Sequence, residues 1–210
     1  MNRRFAVTLY ALGCSLFAVA VMAAGCSLKK QSPAKLRYLV EAQRPGGPAV
    51  SNAQGMLRVR NLQIAAPFEG RGFVYRNSDQ NYESDFYHEF LIAPQPMLTE
   101  QVRQWLSASG RFRAVLDPAS KLDSTHSLEG NVTAFYADFR EKAAPRVVLQ
   151  IHFLFVNDLG ASPQIAFQKT YRQEIRAKTR SPEALIGAWS SALAEILGDL
   201  DRDLAGASVR

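Results

Sequence analysis

The second half of the chain carries the most regular pattern of apolar and polar positions. Residues 126–139, 146–157 and 164–178 alternate between the two kinds of side chain with the period of two that is typical of strands. The middle segment is apolar on both faces, which indicates a central strand, and residues 157–160 predict a hairpin turn into the third. We therefore expect an antiparallel meander. Four side chains of the first strand are expected to share one face: Leu128, Val132, Ala134 and Tyr136.

Two other segments repeat their apolar residues with the period of a helix. In residues 97–109 these residues follow the spacing i, i+4, i+7 and i+8, with two prolines just outside the start and a glycine past the end. The last segment begins with Ser181, a proline and a glutamate, which supply an N-cap, a first-position proline and an acid that favours the dipole. Trp105 and Trp189 belong to these apolar stripes, so we expect both to be buried.

Shorter extended segments complete the pattern: residues 38–40, 56–65, 73–76, 85–92 and 112–116. In the second of them the apolar phase shifts by one position, which predicts a bulge near Asn61. Strands and two helices in this order predict an α+β domain of two layers. Its sheet is expected to be mixed and largely antiparallel, with the two main helices covering one face.

The first 26 residues have the pattern of an export signal. Two arginines precede an apolar run over residues 5–24, and small residues follow. The run Ala23-Ala24-Gly25-Cys26 resembles a bacterial lipobox, which implies that the Cys26 thiol is diacylated, that the chain is cut before it and that the new amino terminus is acylated. We expect a signal peptide over residues 1–25, a lipidated tether over 26–34 and a single domain over 35–205.

Alternatives to this processing remain open. The apolar run of 20 residues is long enough to span a bilayer as an uncleaved anchor. Cys14 follows a similar run of small residues, but few apolar residues precede it. In each case the domain lies outside the cytoplasm. Ser27 stands where an aspartate would, by resemblance to known sorting signals, favour retention in the inner membrane. We therefore expect the periplasmic face of the outer membrane, with the inner membrane as the alternative.

Charge, cysteines and motifs exclude several classes of function. The net charge is +6, and the basic residues are interleaved with acidic ones, so no nucleic-acid surface is expected. The two cysteines are Cys14 and Cys26, so the folded part can form no disulfide or thiolate site. The histidines lack partners at metal-ligand spacing, and no known nucleophile, phosphate-loop or zinc-protease motif occurs. We expect no enzymatic activity, no metal and no cofactor.

Aromatic residues are concentrated in one part of the chain: Phe73, Tyr75, Tyr82, Phe86, Tyr87 and Phe90. Tyrosine combines an apolar ring with a hydroxyl group and is enriched at interfaces. Tyr82, Phe86 and Tyr87 lie beside the polar turn at residues 77–81, and we predict that they contact a partner or a second copy of the chain. In the alternative interpretation these rings cap the core.

The same region carries a family resemblance. Its elements are the strand Phe73-Val74-Tyr75-Arg76, the aromatic turn Asp85-Phe86-Tyr87-His88-Glu89-Phe90, the helix start Met97-Leu98-Thr99-Glu100, and the step Ser109-Gly110-Arg111-Phe112 into a strand. In this order they resemble the ABC-type transport auxiliary lipoprotein family, which includes the lipoprotein of the paraquat-inducible operon. The resemblance covers residues 35–205.

The resemblance implies a function. A member of this family acts beside an ABC transporter and a periplasmic MCE-type protein, moving phospholipid or another hydrophobic compound between the envelope membranes. It has no ATP site of its own, and it meets the end of the MCE assembly as a docking or adaptor component. Two alternatives remain: the domain itself holds the hydrophobic ligand, or the chain is an envelope-assembly lipoprotein unrelated to transport.

Overall fold

The computed structural model describes residues 34–46, 53 and 55–207. The predicted signal peptide, Cys14, Cys26 and most of the tether lie outside the described residues. The described part forms nine strands and two α-helices. In chain order these are β1 (Leu36–Tyr38), β2 (Met56–Val59), β3 (Gln63–Ile64), β4 (Gly72–Arg76), β5 (Tyr82–Phe90), α1 (Pro94–Ala108), β6 (Ala114–Leu116), β7 (His126–Asp138), β8 (Arg146–Asn157), β9 (Gln164–Arg176) and α2 (Pro182–Ala207).

The predicted meander forms the centre of one mixed sheet. β7 pairs antiparallel with β8, and β8 pairs antiparallel with β9, along nearly their whole length. The other edge of β7 is shared by β2, β3 and β4, which all run parallel to it. The sheet then extends from β2 to β6 and from β4 through β5 to β1. The antiparallel ladders are the long ones and the parallel ladders are short, as the predicted fold class requires.

One expectation about β7 is wrong. A bulge between Val132 and Ala134 changes the phase of the strand. Phe135 therefore joins Leu128 and Val132 on the face that packs against α2, where its ring centroid lies 5.2 Å from that of Trp189. Ala134 and Tyr136 turn to the opposite face. Because both phases of this segment are apolar, alternation alone could not show where the phase changes.

The two helices bury their apolar stripes in a common core with the sheet. Trp189 is 0% exposed, and its ring packs 5.2 Å from Phe73 and 5.6 Å from Phe90. Trp105 is also buried, so both expectations for the tryptophans are confirmed. α1 begins at Pro94, so the prolines lie within its first turn and not outside it. The first turn tolerates proline because its N–H groups have no acceptor within the helix.

The opposite face of the meander, here called the open face, carries exposed polar pairs. Gln150 donates to the hydroxyl of Thr133 at 2.8 Å, and His152 Nδ1 lies 2.9 Å from the hydroxyl of Thr170. Such cross-strand pairs are typical of a sheet surface in contact with water. The apolar residues of the fold are therefore concentrated on the helix-covered side.

Candidate functional site

The three residues predicted as contacts all lie on β5 and are all partly exposed. The exposed fractions are 44% for Tyr82, 64% for Phe86 and 40% for Tyr87. Phe73 and Phe90, from the same aromatic region, are buried in the core. The aromatic concentration seen in the sequence thus divides into a buried half and a surface half.

A wide bulge in β5 presents Phe86 and Tyr87. Val74 pairs with Ser84 and Gly72 pairs with Glu89, so a single residue of β4 stands opposite four residues of β5. We call residues 85–88 the aromatic bulge. At its tip the rings of Phe86 and Tyr87 pack edge to face, with their centroids 5.2 Å apart. The two exposed rings therefore form one packed pair.

The side chain of Asp85 holds the aromatic bulge in shape. Its Oδ1 accepts hydrogen bonds from the backbone N–H groups of Tyr87 at 2.7 Å and His88 at 3.0 Å. Its Oδ2 accepts a hydrogen bond from the hydroxyl of Tyr75 at 2.6 Å and lies 2.7 Å from His88 Nδ1. One carboxylate thus joins the backbone of the bulge to two neighbouring side chains.

These contacts set the ionisation of the group. Burial of Asp85 opposes its ionisation, but the hydrogen bonds from Tyr75, His88 and the amides outweigh it and hold the pKa of Asp85 below its usual range. Burial, and then bonding to this carboxylate, raises the pKa of Tyr75 well above its usual value. Because an ionised carboxylate only accepts hydrogen bonds, Nδ1 of His88 carries the hydrogen.

Sequence reasoning missed this network. Asp85 and His88 are three residues apart, which in a regular strand places them on opposite faces. Only the bulge brings them together. A histidine oriented by a carboxylate can act as a general base when a nucleophile lies at its other nitrogen. In the part of the chain that the structure describes, the hydrogen-bond partner of the His88 ring is Asp85, at Nδ1.

Gly72 makes the close approach of the bulge possible. A Cβ atom at this position would lie 2.5 Å from the backbone oxygen of Asp85 and 2.5 Å from Ser84 Oγ. Ser84 Oγ could rotate away, but the contact with the backbone oxygen would require a shift of the strand. The glycine of β4 therefore belongs to the structure that presents Phe86 and Tyr87.

A cluster of basic residues lies beside the aromatic bulge. Lys35, Arg37 and Arg71, here called the basic cluster, surround the carboxylate of Glu89 at 3.2, 2.9 and 3.4 Å. The hydrogen bond from Arg37 is the largest cause that holds the pKa of Glu89 below its usual range. Three cations around one carboxylate leave two positive charges. Lys35 Nζ also lies 4.5 Å from the centroid of the Phe86 ring, in cation–π geometry.

Tyr82 belongs to a different group of side chains. Its ring packs edge to face on Tyr136, with centroids 5.6 Å apart, and the Arg76 guanidinium lies 5.4 Å from the Tyr82 centroid. Phe68 stacks on Tyr136 at 5.9 Å. These residues, which we call the Tyr82 cluster, lie on the open face. The structure therefore keeps Phe86 and Tyr87 together but places Tyr82 in separate surroundings.

An open cleft of about 460 Å³ also lies on the open face. Arg60 and Glu129 form an ion pair of 3.3 Å at its wall, and His152, Leu154 and Ile165 contribute further side chains. Among residues 34–46, 53 and 55–207, no group of three or more His, Cys, Asp or Glu side chains is placed to hold a metal ion. No helix within these ranges has the length and apolar character needed to cross a membrane.

The remaining histidine, His126, packs against the core at the start of β7. Its ring stacks on Phe155 with the centroids 5.0 Å apart. Burial lowers the pKa of His126, although the nearby Asp158 acts in the opposite direction. This histidine therefore contributes to packing within the sheet.

Comparison with known proteins identifies the fold. No protein-family model matches the chain, and no curated protein matches it. Protein XCC0632 from Xanthomonas campestris, of the family DUF330, has a similar crystal structure, with a TM-score of 0.64 and 16% identity over 78% of this chain and 90% of that one. The crystal structure of an uncharacterized protein is similar with a TM-score of 0.65 and 16% identity, over 81% and 99% of the two chains.

A third structure is more distant. The hypothetical protein CT253 from Chlamydia trachomatis shows a TM-score of 0.51 and 9% identity, over 71% of this chain and 96% of that one. At these identities the comparisons establish a shared α+β fold, and they establish it over most of each chain.

Proposed function

We propose that the chain is a lipoprotein anchored to the periplasmic face of the outer membrane through acyl groups on Cys26. In this proposal it acts as a docking or adaptor component of a system in which an MCE-type protein and an ABC transporter move lipid or another hydrophobic compound between the envelope membranes. The motifs that resemble the transport auxiliary lipoproteins support it, and so does a fold shared with a DUF330 protein. The proposal assigns no catalytic step to this chain.

One observation carries the proposal. The segment at which the resemblance begins, residues 73–90, also forms an exposed aromatic surface in this fold. β4 and β5 bury Phe73 and Phe90 to fix the hairpin and expose Tyr82, Phe86 and Tyr87 from it. Rigid, exposed aromatic side chains are typical anchors of binding surfaces, where a few residues supply most of the affinity. This arrangement suits a protein that works through contact.

Within this segment we assign the contact with the MCE-type partner to Tyr82. Its ring is supported from below by Tyr136 and from one side by Arg76, yet 44% of the residue is exposed. A side chain that is already held in place loses little conformational entropy when it binds. The adjacent open face offers the polar surroundings that are common at the rim of an interface.

The proposal is tested by measuring the affinity of the chain for the MCE-type protein of the same genome. Tyr82→Ala should weaken binding by about 2 kcal/mol, or about 30-fold, as truncation of an interface anchor does. The matched control is Leu159→Ala, because Leu159 is also exposed, at 59%, but lies in the β8–β9 hairpin. Self-association is measured on the same samples by sedimentation.

Two outcomes would contradict this assignment. Unchanged affinity in a well-folded Tyr82→Ala variant would remove Tyr82 from the contact. Failure of the wild-type chain to bind the MCE-type protein at all would contradict the adaptor function itself. Because the variant leaves the anchored end of the chain untouched, neither outcome depends on acylation of Cys26.

A further inference from the structure

We propose that the aromatic bulge and the basic cluster together form a membrane-contact surface, which rests on the anionic phospholipid of the membrane that holds the acyl chains. The inference rests on the proposed anchoring at Cys26. In this proposal Phe86 and Tyr87 contact lipid, whereas Tyr82 contacts the protein partner. One strand, β5, would then serve the membrane at one end and a partner at the other.

The first observation in support is the length of the tether. Lys35 follows Cys26 by nine residues, and even a fully extended chain of that length spans only about 30 Å. Lys35 Nζ lies 4.5 Å from the Phe86 ring. The aromatic bulge is therefore at the end of the domain that the tether keeps close to the membrane.

The chemistry of the side chains carries the second step. Tyrosine favours the boundary between headgroups and acyl chains, because its ring is apolar and its hydroxyl tolerates water. Phenylalanine buries its apolar ring at the same boundary. The basic cluster retains two positive charges after pairing with Glu89, and the ionised Asp85 of the bulge offsets one of them. Basic side chains beside an anionic leaflet are attracted to it. Lys29 and Lys30 of the tether add charge of the same sign.

The rigidity of the bulge carries the third step. Hydrogen bonds from Asp85 to the amides of Tyr87 and His88 fix the backbone of the bulge. Phe86 and Tyr87 pack on each other, so neither ring can fold back onto the sheet without losing that contact. Two exposed rings that already pack on each other lose little conformational freedom when they enter the interfacial region.

The experiment uses the mature, acylated protein. Because Cys26 is the only cysteine that follows the signal peptide, a Phe86→Cys variant accepts a single environment-sensitive fluorophore. The protein is reconstituted into vesicles of phosphatidylethanolamine and phosphatidylglycerol and, separately, of phosphatidylcholine alone. Ile165→Cys with the same fluorophore is the matched control, because Ile165 is 62% exposed and lies on the open face.

We expect a several-fold rise in fluorescence, with a blue shift, from the label at position 86 in the anionic vesicles and a smaller change in the neutral ones. High salt should reduce the difference between the two lipids, because it screens the basic cluster. Lys35→Gln combined with Arg37→Gln should have the same effect as salt. The fluorescence of the label at position 165 should stay that of a water-exposed fluorophore in both kinds of vesicle.

Three results would overturn the inference. A label at position 86 that stays in water in both kinds of vesicle would show that the bulge does not reach lipid. A label that becomes buried only when the MCE-type protein is added would assign the bulge to a protein partner. Protein that does not float with the vesicles would show that the anchoring itself fails, and the membrane-contact surface would fail with it.

Discussion

Asp85 bonds to four groups at once: two backbone amides, the hydroxyl of Tyr75 and the imidazole of His88. A carboxylate has enough acceptor sites for all four, whereas an amide side chain has one oxygen and must turn a donor toward the rest. The shape of the aromatic bulge therefore depends on the charge of one residue. This dependence gives a test at the scale of a single side chain.

Asp85→Asn should lower the free energy of unfolding by about 1–3 kcal/mol, because it removes charge-assisted hydrogen bonds from a largely buried site. Urea unfolding measures the loss. Since the folded pKa of Asp85 lies below its usual value, its contribution is fully present above the unfolded pKa of about 3.9 and is lost as pH falls through the folded value. The variant should therefore lose less stability than the wild type on acidification below pH 4.

Glu83→Gln is the control for this prediction, because Glu83 is exposed on the same strand. Its effect on stability should stay within about 0.5 kcal/mol. An Asp85→Asn variant that matches the wild type at neutral pH, or that loses as much stability below pH 4, would show that the Asp85 contacts do not hold the bulge.

At the scale of elements, the periodicity of apolar residues predicted the strands and helices. It did not predict the bulges in β5 and β7. The interruption between β2 and β3 was visible because the apolar phase shifts near Asn61. The bulge in β7 was not, because Tyr136 is buried on the open face beneath Phe68 and Tyr82, so both phases look like core. The short parallel pairings of β1 to β4 and β6 depend on contacts between distant segments, which no local pattern records.

The candidate site shows the same limit more sharply. That Tyr82, Phe86 and Tyr87 would be exposed could be inferred from their position beside a polar turn. That they fall into two groups could not, because the separation is made by the Asp85 contacts and by a register shift opposite Gly72. A prediction from spacing treats a strand as regular, and the aromatic bulge lies where β5 is irregular.

α2 gives the test at this scale. Trp189→Ala should lower the free energy of unfolding by about 3–5 kcal/mol, as expected for loss of a large aromatic side chain from a core. The reason is that its ring contacts Phe73, Phe90 and Phe135, which join three strands to the helix. Glu195→Ala, at an exposed position on the same helix, is the control. A loss below about 1 kcal/mol for Trp189→Ala would mean that the helix does not depend on this contact.

At the scale of the whole molecule, the two proposed contacts lie on one strand. β5 pairs with β4 at residues 82–84 and at Glu89, and with β1 at residues 88–90, so pairing fixes it on both sides of the aromatic bulge. Contact with lipid at the aromatic bulge and with protein at the Tyr82 cluster would therefore hold a partner in a fixed orientation to the membrane. This geometry has meaning only if the chain is anchored by its lipid, so anchoring is the property to test.

Cys26→Ser should leave an unprocessed precursor that does not incorporate labelled palmitate, because the hydroxyl cannot replace the thiol that is acylated before cleavage in signals of this kind. Cys14→Ser is the matched control and should be processed and acylated as the wild type is. Labelling, gel mobility and separation of the membranes by density are measured on the same cells.

A Cys26→Ser chain that is still cut and acylated normally would place the anchor elsewhere. Wild-type protein that bands with the inner membrane would keep the anchor but move the adaptor to the other side of the periplasm. Only an acylated chain that bands with the outer membrane fits an adaptor that meets the far end of an MCE assembly.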